Sequence, residues 1–331
     1  MAIPVLIGVT LLIFAITMCF SPVERASLYV TDPKLLRNID EIIAKYHLND
    51  PFYIQYFNWM SEVLHGNLGW SESVHMPVSD AIINFLPATL ELALFSAPLI
   101  IFIGIKMGVL SAVHQNELID HVTRVMAIVG WSLPTFWSAI LLLSAFYGHL
   151  GLFPPGRLGE AASAYVHSPY FIRYTRINTI DSLLNGQFWI FVDALRHLIL
   201  PVANLVLLNT ALIMRIMRSS MLESLSKGYV MMARAKGLDE RTVINKHAKR
   251  TALIPAITIS GMLFAGMVCG MVITETVFCY TGIGYWAAHA AGQLDIPAVL
   301  GFALFVGVIF VFANLAVDIL YVYINPKVSL G

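Results

Sequence analysis

Residues 296–324 read IPAVLGFALFVGVIFVFANLAVDILYVYI, with Asp318 as the one charged side chain. About 20 apolar residues in a helix cross the roughly 30 Å of bilayer hydrocarbon, so this run is long enough to span. Five other stretches also qualify: 2–20, 88–113, 122–148, 197–217 and 252–277. The pattern predicts an all-α polytopic membrane protein with six transmembrane helices. Composition agrees, since 58% of the 331 residues are hydrophobic and 12% are charged, against about 25% charged in soluble domains. Lipid permits an outer face as apolar as the interior. The formal net charge is zero, which gives no reason to expect a nucleic-acid partner. Cys19, Cys269 and Cys279 sit in or beside apolar runs without metal-site spacing and read as small apolar fillers.

The first apolar run has no basic residues before it and no A-x-A site after it, so it reads as an uncleaved span rather than a signal peptide. Pro98, Gly104, Pro134, Gly261, Gly266 and Gly270 fall inside predicted spans, where neighbouring helices satisfy the interrupted backbone. Orientation rests on segment 215–251. It holds nine Lys and Arg (Arg215, Arg218, Lys227, Arg234, Lys236, Arg241, Lys246, Lys249, Arg250) against Glu223, Asp239 and Glu240. The positive-inside rule makes it cytoplasmic, and six spans then put both termini on that side.

Residues 21–87 and 149–196 fall outside in this reading. The first is expected to be folded and helical. Asp32-Pro33 and Asp50-Pro51 each resemble a helix start. The first helix would carry Leu35, Leu36, Ile39, Ile42, Ile43 and Tyr46 on one face. The second would carry Phe52, Tyr53, Tyr56, Phe57, Met60 and Leu64 and close at Gly66. A third short helix is expected from Pro77 to Phe85. These helices either pack against the outer ends of the spans or dock a soluble partner. Segment 149–196 is rich in aromatics, including Tyr165, Tyr170, Phe171, Tyr174 and Trp189, suited to an interfacial belt or to stacking on a solute. The chain thus divides into a first span (1–20), an external helical loop (21–87) and a five-helix core (88–331).

The most informative segment is 226–255, SKGYVMMARAKGLDERTVINKHAKRTALIP. A helix runs to Lys236, breaks at Gly237, and a second helix leads into the next span. Gly237 suits the left-handed position that ends a helix. Ala233 and Ala235 allow close approach by another surface, and Arg234 and Lys236 favour the helix's negative end. Binding of anionic lipid explains the basic charge but not the glycine break.

The run Tyr229-Val230-x-x-Ala233-Arg234-Ala235-Lys236-Gly237-Leu238, with Leu253-Ile254-Pro255 beyond it, resembles the coupling loop of ABC-importer permeases. The likeness is to the first (B-type) membrane subunit of the dipeptide/oligopeptide/nickel family and covers nearly the whole chain. It includes Leu48-Asn49-Asp50-Pro51, Gly66-Asn67-Leu68-Gly69, and Leu86-Pro87-Ala88-Thr89-Leu90-Glu91-Leu92. It continues through Leu133-Pro134-x-Phe136-Trp137, Leu152-Phe153-Pro154-Pro155, Arg196-His197-Leu198-x-Leu200-Pro201 and Glu275-Thr276-Val277-Phe278 to Asn314-Leu315-x-Val317-Asp318. Met231 and Met232 stand before Ala233, where the family's motif name calls for a glutamate. The resemblance leads one to expect basic residues before the first span, whereas the sequence starts Met1-Ala2-Ile3. It closes on Asn325-Pro326-Lys327, a variant of an Asp-Pro-Arg ending.

The resemblance implies the type I binding-protein-dependent importer permease fold. It also implies a homologous second permease subunit, two cytoplasmic ATPase subunits that bind ATP and Mg, and an external solute-binding protein, with no cofactor held by this chain. Helix 226–237 would then sit on one ATPase, with Tyr229, Ala233, Arg234, Ala235, Lys236, Gly237 and Leu238 as its coupling residues. Di- and oligopeptides are the leading solutes, with oligosaccharides and nickel complexes as alternatives. The residues agree with this division of labour: no Gly-Lys dipeptide occurs, so there is no P-loop and no ATPase activity. A zinc motif and a nucleophile elbow are also missing.

Ionisable residues inside a bilayer need a partner or water. Lys106 and Asp318 read as paired or snorkelling side chains. Glu91, Trp131, Phe136, Trp137, Met267 and Glu275 are the candidates for lining the translocation pathway. A stand-alone secondary transporter or channel would show charges at mid-bilayer or an inverted repeat, and an intramembrane enzyme would show paired catalytic groups. Neither pattern is evident.

Overall fold

A computed structural model describes residues 2–30 and 38–324. The helix start at Asp32-Pro33, the Asp318 side chain and the ending Asn325-Pro326-Lys327 lie outside the described residues. Helix α1 (Ala2–Thr17) leads into two short helices, α2 (Pro22–Ala26) and α3 (Ile39–Lys45), and the longer α4 (Phe52–Leu64). Strands β1 (Trp70–Ser71) and β2 (Met76–Pro77) pair antiparallel in a small ladder. This region packs on α1 through a cluster containing Phe14, Tyr29, Ile42 and Trp59, and Leu300 and Leu304 join it from the last helix. The buried face of α4 differs from the expected one. Gln55 and Trp59 are inside, while Tyr53, Phe57 and Leu64 are exposed. Gln55 is drawn in by the buried Arg25, which donates to its carbonyl and to that of Leu48 at 3.1 Å.

No separate third helix precedes the second span. Instead α5 (Val78–Val113) is one helix of 36 residues, passing through Pro87 and Pro98. Helix α10 (Phe188–Leu225) has 38 residues and contains Pro201. At 1.5 Å per residue these measure about 54 and 57 Å, well beyond the hydrocarbon, so their ends project from it. They form the most extensive helix contact among the described residues. Gly104 and Gly108 make that contact possible. A Cβ on Gly104 would lie 2.7 Å from Ile213 Cβ, and one on Gly108 would lie 2.6 Å from Met217 Cβ. Small residues four apart let the two backbones approach closely enough to pack in lipid.

The third predicted span is broken. Helix α6 (Leu118–Ser132) and α7 (Thr135–Leu142), the latter extended by a π-helical stretch to His149, meet at 100°. Leu133 and Pro134 are both extended. Proline lacks an N–H and pushes its predecessor out of the helical region, which ends α6 there. Helices α8 (Glu160–Val166) and α9 (Asn178–Leu184) fill the connection to α10. Helix α11 (Gly228–Ala235) follows, then α12 (Glu240–Thr242), which passes through a π-helical turn into α13 (Lys249–Val268). The fifth predicted span also breaks, at Cys269–Met271, before α14 (Val272–Val277) and α15 (Ile283–Gly292). Helix α16 (Ile296–Ile324) closes the fold. Among the described residues, four helices are long and apolar enough to span, α6 with α7 makes a bent fifth, and α1 is a shorter apolar helix.

Candidate functional site: a coupling elbow, a cavity and a buried latch

Helix α11 ends in a closed backbone motif. Gly237 takes φ +74°, its N–H donates to the Arg234 carbonyl at 2.9 Å, and the Leu238 N–H reaches back to Ala233 at 3.4 Å. These two bonds form a Schellman motif, and glycine carries no Cβ penalty at its left-handed position. Across the break, Arg234 forms a fork on Glu240, Nη2 to Oε1 at 2.6 Å and Nε to Oε2 at 3.2 Å. The chain folds back as an elbow of two short helices.

One face of the elbow is anchored. Val230 and Ala233 are buried with Met217 and Met221 of α10 and Val243, Ala248 and Ala252 beyond the break. The small side chain of Ala233 therefore serves packing within this chain. The opposite face displays Tyr229, Met231, Met232 and Leu238, between 42% and 61% exposed. Ala235 and Lys236 are exposed as well. Three apolar side chains projecting on an anchored helix, with Leu238 just past its end, make a compact contact surface, and methionine adapts readily to a partner. Sequence reasoning missed Met231 and Met232, although their place opposite Val230 and Ala233 follows from helical spacing.

The base of the elbow is tied to the bundle by Asp120 at the start of α6. Its carboxylate accepts from Ser111 Oγ at 2.6 Å, the Asn116 N–H at 3.1 Å, and Arg218 Nε and Nη2 at 2.8 Å each. Asp120 is fully buried, and the tie joins α5, α6 and α10. In the sequence Arg218 registers as a charge marking one side of the membrane.

Between the spans lies a cavity of about 750 Å³. Its walls include Trp131 and Thr135 from the α6–α7 break, Asn209 from α10, and Met267, Gly270 and Thr274 from the α13–α14 break. Both interrupted helices thus turn their irregular backbone toward one space, and such backbone at membrane depth is tolerated where it lines a cavity. Of the six predicted pathway residues, Trp131 and Met267 line it. Arg215 lies 5.3 Å over the Trp131 ring. Phe136 and Trp137 are exposed elsewhere on α7.

Glu91 and Glu275 sit inside the protein instead of at this cavity. Glu91 accepts from Arg157 Nη2 at 2.9 Å, the Thr179 N–H at 2.7 Å and the Tyr280 hydroxyl at 2.7 Å. Glu275 accepts from Thr89 Oγ1 at 2.7 Å and the Tyr285 N–H at 2.8 Å. Thr89 Oγ1 in turn accepts the Ile283 N–H at 2.8 Å. Two residues of α5, Thr89 and Glu91, therefore latch α14, α15 and the connection after α7. Burial without such partners would cost several kcal/mol. The sequence showed that each glutamate needed a partner but not which one.

Long apolar helices and a cavity bounded by two helix breaks define an integral-membrane protein with a space between its spans. The sequence profile described as "Binding-protein-dependent transport system inner membrane component" matches residues 100–330, and the chain belongs to this family. It is 38% identical to the probable D,D-dipeptide transport system permease protein DdpB of Escherichia coli K12, across 99% of this chain and 94% of that one. It is 35% identical to the oligopeptide transport system permease protein AppB of Bacillus subtilis and 34% to the dipeptide transport system permease protein DppB of Alkalihalophilus pseudofirmus. Each match covers 99% of this chain and 96% of the relative. The chain is thus a multi-pass inner-membrane component of an ABC importer, working with a partner permease, a separate ATPase subunit and a solute-binding protein.

Proposed function

We propose that this chain forms half of a translocation pathway for di- and oligopeptides, with the 750 Å³ cavity as its share of that pathway. Trp131 and Met267 are its lining residues among the predicted six. The exposed face of α11 docks on a cytoplasmic ATPase and carries nucleotide-driven closure into α10 and α13. The observation carrying this reading is the two-sided α11, with Val230 and Ala233 anchored in the chain's own core and Tyr229, Met231 and Met232 presented outward beside Leu238, which follows the helix. The excess of Lys and Arg over 215–251 supports a cytoplasmic elbow and both termini on that side. Residues 21–87 and 149–196 then belong to the external side. The names of the relatives, dipeptide, D,D-dipeptide and oligopeptide permeases, support peptides as the solute.

The test is uptake into proteoliposomes holding this chain with its partner permease and ATPase subunits, supplied with binding protein and a labelled dipeptide. ATP- and binding-protein-dependent accumulation is expected. Uptake by this chain alone, or a complex that ATP does not drive, contradicts the assignment.

A further inference from the structure

Helix α10 is about 57 Å long, so the connection before it lies far from the elbow that follows it. That distant end carries a second cavity of about 490 Å³, which shares no lining residue with the first. Arg157, Arg173 and Arg176 contribute to its walls, with Asn84, Asn178 and Asp181. The charges there are unequally matched. Arg157 is paired with Glu91. Asp181 spends itself on the Thr175 and Arg176 N–H groups and the Thr175 hydroxyl, each at 2.8 Å. Neither Arg173 nor Arg176 belongs to an ion pair among the described residues.

Their donors are also mostly unspent. Arg173 gives Nε to the Val166 carbonyl at 3.3 Å, and Arg176 gives Nη1 to Asn84 Oδ1 at 2.6 Å. A guanidinium has five N–H donors in a fork that matches a carboxylate. Partial burial and the nearby positive charges of Arg157 and Arg176 hold the Arg173 guanidinium below its ordinary pKa. An entering anion relieves that crowding.

The surrounding loop is pinned by two hydrogen bonds and displays apolar groups. Asn185 accepts the Ile172 N–H at 3.0 Å and donates to the Ile172 carbonyl at 2.8 Å. Around Arg173, Tyr170 is 82% exposed, Ile172 56% and Tyr174 58%. Tyrosine and arginine on a preorganised surface are the residue types that dominate protein-binding hot spots.

We propose that Arg173 and Arg176, with the rim formed by Tyr170, Ile172 and Tyr174, receive an acidic side chain of the solute-binding protein. This rests on the importer reading above. A protein surface fits better than free solute for two reasons: the pocket stands apart from the cavity between the spans, and its exposed rim extends well beyond what one carboxylate covers.

The test uses the full complex in nanodiscs, titrated with binding protein while ATPase stimulation is followed. Arg173→Gln and Arg176→Glu are expected to raise the half-maximal binding-protein concentration about tenfold or more. Basal ATPase activity and the rate at saturation should stay unchanged, and Arg173→Lys should recover part of the loss. Added salt should weaken the wild-type complex more than the variants. Variants that titrate like a stimulated wild type refute the docking site and leave the importer reading intact. A shift in solute KM at saturating binding protein, with its affinity unchanged, also refutes the proposal by giving the pocket to the solute's own carboxylate. A wild-type complex that binding protein does not stimulate overturns both readings.

Discussion

The Arg218 guanidinium grips the Asp120 carboxylate with both arms, Nε to Oδ1 and Nη2 to Oδ2, each at 2.8 Å. This fork ties the start of α6 to α10 just before the elbow. Removing the carboxylate leaves the partly buried Arg218 guanidinium without its partner. Asp120→Ala is therefore expected to lower the thermal unfolding midpoint of the purified subunit substantially. Arg218→Lys, which keeps the charge but loses the fork, should fall in between.

At the other end of α5, Tyr280→Phe removes one of the three donors to Glu91. A hydrogen bond to a charged group contributes about 1.5–3 kcal/mol. Glu91→Ala should cost more, since it leaves Arg157 without its carboxylate. Limited proteolysis between residues 149 and 187 checks this, because loosening the latch should expose that connection to cleavage. Equal protease resistance in wild type and both variants would show that the latch does not hold it.

Substitution in the α5–α10 contact should be severe for its size. Gly108→Ala places a Cβ 2.6 Å from Met217 Cβ and 2.7 Å from the Met214 carbonyl. Overpacking of this kind costs about 1–3 kcal/mol. Gly228→Ala is the matched control, since nothing lies within 4 Å of its Cβ. The first variant should unfold earlier in a thermal scan and the second should not.

Gly237 makes a different demand. Its Cβ space is open, but φ is +74°. A left-handed backbone costs an L-residue roughly 1–2 kcal/mol. Gly237→Ala should therefore weaken ATPase coupling mildly, and Gly237→Pro more, because it also deletes the N–H bonded to Arg234. Coupled ATP turnover in proteoliposomes reads both effects.

Much of the fold was legible because apolar length is a direct physical requirement of the bilayer. The runs at 88–113, 197–217 and 296–324 lie within α5, α10 and α16. The breaks were harder to foresee. Pro98 and Pro201 are carried inside long helices, whereas Pro134 ends one. A proline's effect depends on whether neighbouring helices satisfy the freed carbonyls, which sequence spacing alone does not reveal. The elbow was legible from Gly237 because a left-handed cap is a local backbone need. The partners of Glu91, Glu275 and Asp120 lie as far as 189 positions away, so only the folded chain identifies them. Ala233 shows the same limit, since a small residue suits an outer interface and an inner one equally well.

The central claim, that the outward face of α11 is the contact through which an ATPase drives this subunit, is tested most directly by Met231→Asp with Met232→Asp. Both side chains are exposed, so folding and assembly with the partner permease should be preserved. ATPase co-purification and ATP-driven uptake should fall about tenfold or more, equivalent to ~1.4 kcal/mol or more of lost contact energy. A folded double variant that retains its ATPase and transports at the wild-type rate would contradict the account.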